Sequence, residues 1–271
     1  MKIRVPAGAT DTHMHVYDAA VPRAAGTFMP GHFPASDYRA MQKRLGLERV
    51  IVVQPNAYAD DNSVTLDAIK KIGKGAKGVA VVKPGVTDAE LERLTRGGIC
   101  GLRIMTLHGG TLGFDLMDSL MARVHPFGWH ANLQLDGREL PKFEAQIKRL
   151  PARFVIDHTG KFLEPVPPEH ESFKSLLRLV DTGRCWVKLS APYETSKTGG
   201  PKYEDVGRLA KALVKHAPER MLWASNWPHP SAREPRPPED ADLLELLLDW
   251  APDAAVRRKI LADNPAELYG F

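Results

Sequence analysis

Only two cysteines, Cys100 and Cys185, occur in 271 residues, and no Cys-x-x-Cys pair, so neither a disulfide framework nor a zinc ribbon can be built. Both adjoin apolar strand-like segments, where a thiol is expected to be a buried spectator. No apolar run approaches the roughly 20 residues of a membrane span. The opening MKIRVPAGAT also lacks the apolar core of a secretory leader, so the chain is read as cytoplasmic, with no membrane partner. Positive charge is in slight excess, +4 at pH 7 with a pI near 9.0, but the basic residues are scattered and not interleaved with aromatics. That argues against a nucleic-acid partner and mildly favours an anionic small molecule. A glycine-rich phosphate turn, a linker and an internal repeat are absent as well.

What the chain does have is a rhythm of short β-branched apolar runs separated by amphipathic stretches of helical length. After an opening strand that ends in a histidine pair come RVIVVQP (49–55), GVAVVKP (78–84), CGLRIM (100–105), HANLQLD (130–136), FVIDHTG (154–160), CWVKLS (185–190) and RMLWASNW (220–227). Near-continuous apolar runs suit strands buried on both faces of a parallel sheet. Between them, Ser36 reads as the N-cap of a helix stopped by Gly46, and Thr87 as the N-cap of the next but one. Eight strand-then-helix units predict the α/β class and a single-domain (β/α)₈ TIM barrel over residues 1–271.

In such a barrel the chemistry comes from side chains at the carboxyl ends of different strands. Those ends supply His13 and His15, Gln54 and Asn56, Lys83, Arg103, Gln134 and Asp136, Asp157 and His158, Lys188 and Ser190, and Asn226 followed by His229. Packing alone does not explain a polar group at the same end of every strand. Singly, each has a plainer reading. Lys83 and Lys188 would be solvated rim charges, Gln54 and Asn56 ties to loop backbone, Asp136 a helix cap, Arg103 half of a structural ion pair, and His158 a satisfied core histidine. Two proline-rich segments, 163–170 and 228–240, follow strands six and eight and would lie on the same rim as rigid loops or lids.

The opening DTHMH (11–15), the DHTGK (157–161) on strand six, the WASNWPHP (223–230) on strand eight and the closing DNPAELYGF (263–271) together resemble the amidohydrolase superfamily, in its metal-independent lactonase branch. The likeness runs over essentially the whole chain. It implies a barrel enzyme that processes lactones. In the branch's hydrolases the strand-eight position carries an aspartate that activates water, where this chain has Asn226, and of their arginines only Arg103 remains. The branch's isomerases, which interconvert lactones of sugar diacids, look similar at Asn226, at Arg103 to Met105 with Gly109 and Gly110, at residues 157–162, and at Tyr193 to Ser196. Their pattern can lack the first histidine of the pair, yet His13 is present here.

Two histidines two positions apart on a strand share a face, a common way to aim imidazoles at one metal ion. Strand eight, however, offers a neutral amide and strand five ends in Gln-Leu-Asp, so the set is read without a metal or other cofactor; a bound metal would be zinc or manganese. His13, His15 and His158 are then expected to surround the lactone carbonyl, one stabilising the oxyanion and one acting as general base. Arg103 would grip a carboxylate and Asn226 orient a hydroxyl or the carbonyl, with Asn56, Asp136, Lys161, Tyr193 and His229 completing the substrate-binding set. Attack by the substrate's own hydroxyl would make the reaction an intramolecular acyl transfer, a ring-size isomerisation of a small anionic sugar-diacid lactone. Lactone hydrolysis, a metal-dependent hydrolase or decarboxylase, a non-catalytic metabolite binder and a homo-oligomer stay open.

Overall fold

Each apolar run becomes a strand in the computed structural model, which describes residues 1–231 and 237–271. The strands are β1 (Thr10–Met14), β2 (Arg49–Val53), β3 (Ala76–Ala80), β4 (Ile99–Met105), β5 (His130–Gln134), β6 (Phe154–Ile156), β7 (Cys185–Leu189) and β8 (Met221–Trp223). They lie in the order β1 to β8 with every neighbouring pair parallel. Helices α1 (Ala35–Leu45), α2 (Ser63–Ile72), α3 (Asp88–Arg96), α4 (Met117–Val124), α5 (Leu140–Lys148), α6 (Glu171–Val180) and α7 (Glu204–His216) return the chain between strands, and α8 (Asp240–Glu245) begins a helical run towards the C-terminus. This is the expected α/β barrel in one domain. No described helix is long and apolar enough to cross a membrane.

Gly46 ends α1 in the left-handed conformation, and Thr87 caps α3 by accepting the Glu90 N–H at 3.2 Å. Ser36 does not cap α1. Pro34 holds the cap position, and Ser36 Oγ donates to the Asp37 carboxylate at 3.1 Å. β6 and β8 stop short of the expected 160 and 227 because the polar residues after them turn away. His158, Thr159 and Asn226 adopt positive φ, which no strand allows.

Side chains two apart on a strand share a face, and this alternation divides the barrel interior into two levels. Near the amino ends it is apolar, with Ile51, Val79, Val155, Trp186 and Leu222 packed on Leu268 and Tyr269 of the last helix. Near the carboxyl ends the same faces carry buried Arg103, Asn132, Asp157 and Lys188.

Among the described residues no ladder joins β1 to β8, so other groups close the barrel. The buried Asp11 carboxylate accepts from Ser225 N–H at 2.9 Å, Ser225 Oγ at 2.5 Å and Tyr38 Oη at 3.1 Å. Beside it the Thr12 hydroxyl donates to the Trp223 carbonyl at 2.8 Å. Above, two backbone bonds of 2.8 Å run from His15 N–H to Trp227 O and from Asn226 N–H to His13 O. Replacing Asp11 with Ala would leave the buried Ser225 and Tyr38 donors unsatisfied, so Asp11→Ala is expected to cost about 3 kcal/mol. Urea unfolding measures this, and a variant within about 0.5 kcal/mol of the parent would show that the seam does not need the carboxylate.

Candidate active site

At the carboxyl ends of the strands the barrel opens into a cavity of about 230 Å³, walled by His15, Asn56, Arg103, Gln134, His158, Glu194 and Asn226, with Phe28 and Pro230 among the other residues lining it. It lies below the roughly 300–1,000 Å³ of drug-sized sites and suits a small metabolite. Five of the residues expected to meet substrate therefore do share one cavity: His15, Asn56, Arg103, His158 and Asn226.

Beneath it lies Lys188, which is not a rim charge. It is fully buried, because β7 alternates Trp186, Lys188, Ser190 towards the barrel axis. Its ammonium has acceptors for all its protons: Asn132 Oδ1 at 2.6 Å, Asp157 Oδ1 at 3.0 Å and His13 Nδ1 at 3.1 Å. Asn132 Nδ2 donates to the other Asp157 oxygen at 2.7 Å. Although burial alone would raise the Asp157 pKa, the Lys188 ammonium holds it well below the carboxylate range. Burial also pushes Lys188 down. His13 is neutral, pushed down to about 4 by burial and then by Lys188, so the ion pair of Asp157 is with the lysine rather than the imidazole.

These contacts fix the imidazole protons. His13 Nδ1 accepts from Lys188, so its proton sits on Nε2, 3.2 Å from His15 Nε2. His15 Nδ1–H donates to the Val53 carbonyl at 2.8 Å, leaving His15 Nε2 as the acceptor. Burial holds His15 well below its ordinary pKa, as it does His158, whose Nδ1 lies 2.9 Å from Ser190 Oγ. His13 is not in the cavity wall. It was expected at the carbonyl; the structure sets it behind His15, between that ring and Lys188.

Arg103 is buried in the wall and held by neutral acceptors. Nη1 donates to Gln54 O at 2.7 Å and Asn56 Oδ1 at 3.3 Å, and Nη2 to Gln134 Oε1 at 3.0 Å. Its Nε is buried without a partner, and among the described residues Arg103 makes no ion pair, against the plainer reading. Gln54 ties down loop backbone through Ala59 O and Asp61 O, while its neighbour Asn56 faces the cavity. Lys83 stays on the rim, paired with Asp60 at 2.6 Å.

Four expected substrate contacts lie elsewhere. Asp136 caps the turn before α5, accepting from Arg138 N–H at 3.0 Å and Leu163 N–H at 3.3 Å and pairing with the Arg138 side chain, so it is a cap and not a wall residue. Lys161 pairs with Glu194. Tyr193 and His229 stand behind Asn226: Tyr193 Oη contacts Asn226 Nδ2 at 2.9 Å and His229 Nδ1 at 3.0 Å. Of the proline-rich rim segments, 163–170 contributes nothing to the cavity, while 228–240 contributes Pro230 and Ser231, and its residues 232–236 lie outside the described part. Sequence reasoning missed Glu194, which sits in a turn with no periodicity to orient it.

Residues 10–271 match the family described as amidohydrolase. D-galactarolactone isomerase of Agrobacterium fabrum (strain C58) is 38% identical over 268 residues, 97% of this chain and 91% of that protein. The 4-sulfomuconolactone hydrolase of Rhizobium radiobacter is 36% identical, over 98% of this chain and 91% of its own length. A crystal structure of an apo Agrobacterium tumefaciens protein, 36% identical, superposes with a TM-score of 0.92 and covers 98% of this chain and 97% of that one.

The buried imidazoles make stability depend on pH. His13 and His130 are held at about 4 and about 3, and His15 and His158 also well below the unfolded value near 6.5. Below that value the unfolded chain binds protons that the native protein refuses, so stability is full above about pH 6.5 and is lost as pH falls, by roughly 1 kcal/mol per unit for each imidazole. Asp11, raised by burial to about 6, opposes this between about pH 4 and 6, because its native carboxyl holds a proton the unfolded one releases. Urea unfolding is expected to show a clear net loss from pH 7.5 to 5.5; constant stability across that window would contradict the neutral imidazoles.

Proposed function

Since the chain belongs to the amidohydrolase family, we propose that it is a lactone-processing enzyme that isomerises a sugar-diacid lactone, from the 1,5- to the 1,4-lactone of galactarate type. The substrate carboxylate docks on the unpaired Arg103 guanidinium. A substrate hydroxyl, oriented by Asn226, attacks the lactone carbonyl while His158 takes its proton, since both nitrogens of His15 are engaged, by Val53 O and by the His13 Nε2–H. The tetrahedral intermediate collapses by breaking the original ring C–O bond, and the proton passes to the released oxygen. One ester replaces another and no water is consumed.

Asn226 carries this reading. A neutral amide cannot deprotonate water, whereas holding a substrate hydroxyl beside its own carbonyl gains from proximity alone. Hydrolysis is the second reading, favoured by the carboxylate of Glu194 in the cavity wall and by the relative named as a hydrolase.

The reaction is proposed to need no metal. His13 Nε2 and His15 Nε2, 3.2 Å apart, and the group of His13, Asp157 and His158, whose ligand atoms lie within 4.8 Å of one another, are the features that could draw zinc or manganese. The donor set suits a dication poorly. Both Asp157 oxygens are engaged by Lys188 and Asn132, strand eight offers no carboxylate, and the Lys188 and Arg103 cations repel a third positive centre.

Purified protein of known metal content, incubated with D-galactaro- and D-glucarolactones and followed by ¹³C NMR, is expected to interconvert five- and six-membered lactones before and after chelation. Release of free acid alone, or activity that tracks bound metal, would assign a lactonase or a metalloenzyme. Asn226→Asp is expected to gain hydrolysis at the expense of isomerisation; unchanged product ratios would remove the role given to the amide.

A further inference from the structure

Both N–H groups of the Asn226 amide are spent on the protein. Nδ2 lies 2.9 Å from Tyr193 Oη and 3.2 Å from Glu194 Oε1. The tyrosine must accept there, because its own proton goes to His229 Nδ1 at 3.0 Å, and His229 is kept in that tautomer by donating Nε2–H to Asp240 Oδ1 at 3.1 Å. A one-way chain of donors thus runs from the amide to Asp240 and leaves Asn226 Oδ1 for the cavity. Beside it stands Glu194, ion-paired with Lys161 and part of the same wall. On the β7–β8 side, then, these two residues meet substrate with acceptors only, while on the β2–β5 side the wall carries the cation of Arg103, which among the described residues makes no ion pair.

We infer that this acceptor wall makes the enzyme selective for lactones bearing neighbouring hydroxyl groups, and that Glu194 is the residue that sets the preference. Ring hydroxyls donate to the Asn226 oxygen and the Glu194 carboxylate while the substrate carboxylate binds Arg103. An unsaturated lactone that carries acids but no hydroxyls sets acceptors against acceptors, which costs it binding in the ground and transition states alike. Asp240 and His229 act through Asn226 as positioning residues, since reversing the amide would turn one acceptor into a donor.

This inference rests on the lactone-isomerase reading, and its test separates the two. Steady-state kcat/KM is measured for a hydroxylated sugar-diacid lactone, for its analogue lacking one ring hydroxyl, and for a muconolactone-type acid. The parent enzyme is expected to favour the hydroxylated lactone by about 10²-fold or more. In E194Q, activity on that lactone should fall about 10–100-fold, the size of a lost hydrogen bond to a charged group, and the preference should narrow at least about tenfold. D240N, which keeps Glu194 but frees the amide to turn, should narrow the preference too and decides the matter if E194Q does not fold. A parent enzyme without the preference, variants that retain it in full, or an E194Q enzyme that loses ring opening to water alone would each overturn the inference. The isomerase reading fails separately, by release of free acid from the parent whatever the selectivity.

Discussion

The buried ammonium of Lys188 is the constraint on which the site depends. A lysine taken fully out of water must find an anion and fill its donor positions. Asp157 supplies the charge and Asn132 and His13 the remaining acceptors. Having donated to His13 Nδ1, it decides the proton on His13 Nε2, and through it the lone pair on His15, without touching the cavity. That charge belongs to the barrel's packed centre and not to its loops.

A second chain of donors does for β8 what Lys188 does for β1. Asp240 sets His229, His229 sets Tyr193, and Tyr193 sets the amide of Asn226. Both chains end on residues of the cavity wall: the first on His15, whose Nε2 accepts from His13, and the second on Asn226, whose Oδ1 is left for the cavity. The backbone around the second is bent to suit: Ala191, Asn226 and His229 adopt positive φ, as do His158 and Lys161 on the neighbouring turn. Non-glycine residues hold such conformations only where surrounding contacts over-determine them, and here they aim side chains that a regular strand would have carried outward or along the ladder.

The sequence made the barrel plain because its strands are buried on both faces, and it made the cavity half plain because a shared carboxyl end is read directly from where each apolar run stops. What it hid followed from direction. Lys188 looked like a strand-end charge, although its spacing of two from Trp186 already put it on the inner face. Asp136 looked equally fit for substrate or cap, and Arg138 two residues on decided for the cap. Tyr193, His229 and Glu194 sit in turns, where spacing gives no face, so nothing in one dimension told the residue that lines the cavity from those that stand behind it.

The place where the barrel closes has a kinetic meaning. His13 and His15 lie on one side of the seam between β1 and β8, Asn226 on the other, and the bonds that hold the edges together are made by the backbone of those same residues. Closure of the cylinder and assembly of the cavity are therefore one event. A form that has parted at this edge alone keeps its helices and most of its sheet yet carries the histidines and the amide out of register. Loss of turnover thus reports the opening of the barrel before any spectroscopic sign of lost secondary structure.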